Sequence, residues 1–232
     1  MERKQMHIMA IGAHIGDMEL TCGKVLAKHA VMGDKITTLA MTAGERGCPP
    51  GYTPAEFRKK NIESAAQFAK MLGGESLVMD FPDGEVVESE EIKFKLCDII
   101  REKKPDVLIT HWKNSIHKDH IVTHKIVVDA HFYAALKTIE RQLPSHWAKG
   151  PYYSENWEDT MGFDPYVYVD VTEGYELWDK AIRCLWLSTN AQFKYLEYYD
   201  ALSRSRGCLI GKERAEAFDV DPQSKRQVLT SF

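Results

Sequence analysis

Four short apolar runs, each followed by an amphipathic helical pattern, constrain this chain more than any other feature. Residues 6–13, 35–42, 77–81 and 106–111 are rich in aliphatic and β-branched side chains and read as strands. Between them the period changes to that of a helix. Leu20, Val25, Leu26 and Met32 mark one apolar face, stopped by Gly33-Asp34. Thr53-Pro54-Ala55-Glu56 opens a second helix with a threonine cap, a first-turn proline and a glutamate at the third position, and Gly73-Gly74 ends it. Residues 90–103, broken by Pro105, and 119–136 supply two more. Strands alternating with helices at this spacing predict βαβ units, right-handed crossovers and an α/β fold on a mostly parallel sheet. Such sheets place their ligands outside the carboxyl ends of the strands.

The second half is less regular. Residues 141–165, rich in Pro, Gly, Trp and Tyr, read as a long functional loop. Residues 166–171 read as a fifth strand, and 176 to about 205 as helix with a break near Ser188-Thr189-Asn190. Nothing resembles a linker, so one domain spanning 1–232 is expected. The formal net charge is −4 with both signs interspersed, which gives no basic stripe for nucleic acid. No run is long and apolar enough to cross a bilayer, and residues 1–5 carry no signal-type segment. The five cysteines are widely spaced and never in a C-x-x-C pair, as in a reducing compartment. A cytoplasmic protein acting on a small molecule, without nucleic-acid or membrane partners, is the expectation.

The chemistry concentrates in two segments. His14-Ile15-Gly16-Asp17-Met18-Glu19 follows the first strand, and His117-Lys118-Asp119-His120 follows the fourth. In a parallel sheet both loops emerge on the same rim, so they can meet although a hundred residues separate them. A catalytic zinc takes three protein ligands and keeps one position open. His14 and Asp17 can provide two and His120 the third. His124, four residues beyond His120 on the same helix, competes for that place.

These residues carry a resemblance. An apolar strand, then A-H-x-x-D-x-E, T-x-G-E, Arg58-x4-Glu63 on a helix, P-D-G and H-x-D-H, in that order, is similar to the PIG-L/LmbE-like family. The likeness extends to Val169-Asp170-Val171-Thr172, Lys180-Ala181 and Ala215-Glu216-Ala217-Phe218. The resemblance implies a Rossmann-like three-layer sandwich and a zinc-dependent de-N-acetylase of amino sugars or related conjugates, assembled as a trimer or hexamer. It assigns His14, Asp17 and His120 to the metal (Zn2+ or another divalent ion). Asp119 would tune the histidines, and His117 would stabilise or protonate the transition state. Arg58 and Asp83 match positions that contact sugar hydroxyls. Read by themselves they are equally a surface ion pair and a turn-capping aspartate.

One departure from the pattern matters. The family's usual motif is A-H-P-D-D-x-E, whose first aspartate is the general base; here that position is Gly16, preceded by Ile15. Three consequences are open. Glu45, in the loop after the second strand, can act as base. The zinc can serve a hydratase or lyase acting on an unsaturated dicarboxylic acid. Or the protein binds metal and ligand without turnover. Removal of an acetyl group from an amino-sugar-like molecule, with Glu45 as base, is the leading expectation.

Overall fold

A computed structural model describes residues 3–226; residues 1 and 2 of the N-terminal segment, and residues 227–232, lie outside the described residues. The centre is β1 (His7–His14), buried along its length except at its last residue. Successive side chains of a strand point to opposite faces. Ile8 and Ala10 accordingly join one apolar cluster, and Met9 and Ile11 the other. A strand enclosed on both faces must be apolar at every position, which is why residues 8–13 lack the alternation of a half-buried strand.

Around β1 the sheet runs β3-β2-β1-β4-β5-β7-β6. β2 (Lys35–Thr42), β3 (Glu75–Phe81), β4 (Val107–His111) and β5 (Lys149–Ser154) are parallel to it through their neighbours. β7 (Ala215–Asp219) is antiparallel to β5, and β6 (Val167–Asp170) is antiparallel to β7. On one face pack α4 (Glu90–Lys103) and α5 (Lys118–Ala135). On the other pack α1 (Asp17–Thr21), α2 (Gly23–Val31), α3 (Pro54–Met71), α6 (Tyr175–Ile182) and α8 (Tyr195–Leu209). The short α7 (Trp186–Asn190) lies between α6 and α8 in the chain. The result is the three-layer, mostly parallel α/β sandwich expected from the sequence. Among the described residues no helix is long and apolar enough to cross a membrane.

The chain leaves β1 toward β2 and β3 on one side, and returns to β4 and β5 on the other. That reversal opens a crevice between β1 and β4 at their carboxyl ends. His14 is the last residue of β1 and His111 the last of β4.

Three parts of the chain differ from the expectation. Residues 141–165 are not one loop, because β5 runs through them; its Gly150-Pro151 punctuation suggested a turn, yet Tyr152, Tyr153 and Ser154 pair with β4. β7 is a fully buried strand whose Glu216 reads as polar in sequence but is paired with the equally buried Lys24. The expected long C-terminal helix is three helices, with breaks at 183–185 and 191–194 rather than at Ser188-Thr189-Asn190.

Caps fix where α3 and α5 begin. Thr53 and Glu56 close a reciprocal capping box on α3. At the other end of α5, the guanidinium of Arg101 donates to the carbonyls of Tyr133, Ala134, Leu136, Ile139 and Leu143. It thereby satisfies acceptors that the helix end leaves without partners. Arg101 is 1% exposed, so these bonds have no water to replace them. Arg101→Met should therefore lower unfolding stability by about 2–4 kcal/mol. Urea denaturation measures it; a loss below about 0.5 kcal/mol, the scale of an ordinary surface substitution, contradicts this assignment.

Candidate metal centre

Six loop or helix starts at the carboxyl rim bring the site together. After β1 the chain turns at Gly16, whose φ of 111° lies in the left-handed region. Glycine alone adopts that conformation without strain. A Cβ at this position would also press against the Leu187 side chain of α7. The turn is pinned by Glu19, 3% exposed, whose carboxylate accepts the Gly16 N–H at 2.9 Å. Burial pushes the Glu19 carboxyl up to about 7.

The turn delivers Asp17 into a ring of imidazoles. Its Oδ2 accepts the His14 backbone N–H at 2.7 Å. The same oxygen lies 3.3 Å from His14 Nδ1, 3.4 Å from His120 Nε2 and 3.1 Å from His111 Nε2. Tetrahedral coordination with bonds of about 2.0–2.1 Å has ligand–ligand edges of about 3.3–3.4 Å. The Asp17–His14 and Asp17–His120 separations have that length.

The far nitrogen of each of these two histidines faces carboxylates. His14 Nε2 stands 3.1 Å from Asp83 Oδ1 and 3.5 Å from Asp119 Oδ2. His120 Nδ1 stands 3.4 Å from both Asp159 Oδ2 and Glu158 Oε1. Carboxylates behind metal-binding imidazoles fix ring orientation and raise basicity. Burial opposes a charge on His14, but Asp17, Asp119 and Asp83 outweigh it and push the imidazole up to about 12. His120 goes up to about 9 against the same burial, through Asp17 and Asp159. Asp17 is desolvated too, yet His120 and His14 hold it well below the usual carboxylate range.

His111 has another role. Its Nε2 accepts the Ala13 backbone N–H at 2.9 Å, and a nitrogen accepting there has no lone pair left for a cation. Nor can it donate to Asp17 in that tautomer. Burial and the neighbouring His120 lower His111 to about 4, so it stays neutral and braces the turn. His124 is also outside the cluster: its Nδ1 is bonded to the His111 carbonyl at 2.9 Å.

The other expected site residues are distributed unevenly. His117 caps α5, with Nδ1 accepting the Asp119 N–H at 3.2 Å, and its ring meets that of His14 edge-on at 4.6 Å. Asp119 is fully buried and accepts the Gly84 N–H at 2.7 Å, tying α5 to the P-D-G turn. Asp83 lines the cleft and accepts the Arg46 N–H at 3.0 Å. Glu45 does not line the cleft. One oxygen accepts the Asp83 N–H at 2.9 Å and the other lies 3.4 Å from Arg58. Arg58 bonds Asp80 at 2.7 Å, as an ion pair behind the cleft rather than a group on its wall.

Above this floor lies a cleft of about 280 Å³. Phe57, Trp157, Trp186, Leu187, Tyr195 and Tyr199 form its apolar side. Asp17, Asp83 and Glu158 are the carboxylates on it, and none of the described lining residues is Lys or Arg. Asn156, Trp157, Glu158 and Asp159 were hidden in the sequence by the unrecognised β5. A loop following a strand at this rim is where site residues belong.

The family model described as GlcNAc-PI de-N-acetylase (PIG-L) matches residues 9–131, more than half of the chain and all of the floor residues named above except Glu158 and Asp159. The chain belongs to the PIG-L family. It is 25% identical over 222 residues to the 4-oxalmesaconate hydratase of Pseudomonas putida, covering 89% of this chain and 82% of that protein. It is 23% identical over 188 residues to the diacetylchitobiose deacetylase of Thermococcus kodakarensis, covering 76% and 67%. The crystal structure of a 4-carboxy-2-hydroxymuconate hydratase from Pseudomonas putida superposes with a TM-score of 0.87 at 20% identity, over 98% of this chain and all of the other. PIG-L relatives thus include both deacetylases and a hydratase.

The donor set fits a divalent cation. In the metal-free protein both imidazoles hold a proton at neutral pH, because both are raised, and a cation must displace protons to bind. Apparent affinity should accordingly rise with pH from about 7 to about 9, about tenfold per unit for each proton released. Asp159→Asn should weaken binding by about 10–100-fold while leaving the fold intact. Competition with a chromophoric chelator measures both; an affinity flat across that pH range would contradict the protonated pair.

Proposed function

We propose that the protein is a metal-dependent hydrolase that removes an acetyl group from the nitrogen of a small, amino-sugar-like molecule, with zinc or a similar divalent ion held by His14, Asp17 and His120. The observation that carries this reading is that Asp17 Oδ2 stands 3.3 Å from His14 Nδ1 and 3.4 Å from His120 Nε2, with each imidazole backed by carboxylates. A divalent ion there would polarise an amide carbonyl and make a bound water acidic enough to attack it at neutral pH.

The chain's own residues do the rest. With Nδ1 accepting a backbone N–H, His117 keeps its hydrogen on Nε2 and can only donate from it. A donor fixed beside the reacting carbonyl stabilises the oxygen on which negative charge develops. Asp119 and Asp83 hold His14 in orientation, and Asp83, on the cleft wall, also offers its carboxylate to substrate hydroxyls. The contacts of Glu45 support a positioning role, since it holds the N–H of Asp83 with Arg58 as counter-charge. Acting as base would require it to leave both.

Glu45→Gln separates these roles, because glutamine retains an oxygen for the Asp83 N–H but cannot take up a proton. A loss in kcat under about tenfold is expected; a loss of 10²–10⁴ would restore Glu45 as the base. His117→Gln should lower kcat by about 10²–10³ with little change in KM.

A second reading, hydration of an unsaturated dicarboxylic acid, is favoured by Gly16, where no side chain can stand to serve as base. The cleft walls weigh against it. Two carboxylates on a substrate need cationic partners, and the walls present Asp17, Asp83 and Glu158 instead. Acetate release from N-acetyl amino sugars, assayed beside loss of the double bond in unsaturated diacids, discriminates between them. Acetate release is expected; hydration without it would replace this reading with the second.

A further inference from the structure

Glu158 backs His120 together with Asp159, but unlike Asp159 it also stands on the cleft wall. Outside the site, several enclosed carboxylates meet a Lys or Arg: Asp34 has Arg3, Glu45 has Arg58, Glu155 has Arg206, Asp200 has Arg214 and Glu216 has Lys24. Glu158 has 15% of its side chain exposed and no Lys or Arg in reach among the described residues. Its contacts are His120 Nδ1 at 3.4 Å, already shared with Asp159 at the same distance, and Asn156 Nδ2 at 3.4 Å.

Beside it the cleft wall is aromatic and braced. Trp157 stacks on Phe193 at 4.3 Å, and Phe193 in turn meets the edge of Tyr195 at 4.9 Å. Trp157 and Tyr195 both line the cleft on the side of Glu158.

We infer that the cleft takes a substrate carrying a positively charged amine or quaternary ammonium in addition to the group that reacts, with that charge lodged between Glu158 and the rings of Trp157 and Tyr195. An example of the class is a diamine or diamino sugar acetylated at one nitrogen only. This names the substrate class of the proposed hydrolysis and rests on that reading for its second group.

Three physical effects support it. Aromatic faces attract cations, more strongly when water is excluded. Glu158 is a largely enclosed charge without a Lys or Arg partner among the described residues, a cost that an arriving ammonium offsets. Asp17, Asp83, Asp119, Glu158 and Asp159 together outweigh one divalent ion, so the cleft stays negative after metal loading and draws cations in.

The test uses metal-loaded protein and two probes of one shape: choline, and its neutral isostere in which carbon replaces the quaternary nitrogen. Neither has an amine that can ligate the metal. Calorimetric titration should give choline at least about tenfold tighter binding than the isostere. Glu158→Gln, brought to full metal occupancy with excess metal before titration, should reduce that preference to about twofold or less. Trp157→Leu should weaken choline more than the isostere, through a separate side chain. Equal affinities in the wild type, no binding of either probe, or a preference indifferent to Glu158→Gln would each overturn the inference. Failure of the hydrolase reading looks different: choline selectivity persists while no acetamide is cleaved.

Discussion

The structure depends on one carboxylate, that of Asp17, held among three imidazoles at the end of the central strand. The backbone N–H of His14, the neutral ring of His111 and the raised rings of His14 and His120 all face the same oxygen. Burying that charge is costly unless it is paired. The pairing is supplied by His14 of β1 and His120 of α5, while His111 of β4 braces the turn, so the site and the packing of those elements stabilise one another. This explains why α5 is secured at both ends, by the His117 cap and by Arg101.

Carboxylates behind the imidazoles extend that logic outward. Asp83 and Asp119 reach His14 from the turn after β3 and from α5, and Asp159 reaches His120 from the loop after β5. Glu45 and Arg58 sit one layer further back, holding the Asp83 turn. Each parallel strand therefore contributes to the same centre through the loop at its carboxyl end. With glycine at position 16 and Leu187 packed over it, the wall beside Asp17 is apolar at that point.

Much of this was legible in the sequence. The alternation of apolar runs and helical patterns specified β1 to β4 and their helices, because strands buried on both faces must be apolar throughout. The placement of His14, Asp17 and His120 followed from topology, since parallel strands put their loops on one rim. What stayed hidden has physical causes. β5 carries glycine and proline and draws its stability from two neighbouring strands, so local propensity misread it and concealed Asn156 to Asp159. The division of labour between His111 and His120 turns on one backbone hydrogen bond from Ala13, which no pattern of residue types encodes. Glu45 read as a candidate base in the sequence, because its engagement with Asp83 and Arg58 depends on the fold of a different segment.

Loading the protein with zinc and locating it by anomalous diffraction at the zinc edge is the most direct measurement. The expected result is a single strong peak bonded to His14, Asp17 and His120, with His111 outside its coordination and still accepting the Ala13 N–H. A peak bonded to His111, or zinc found only away from the carboxyl ends of β1 and β4, would contradict the assignment on which the proposed chemistry stands.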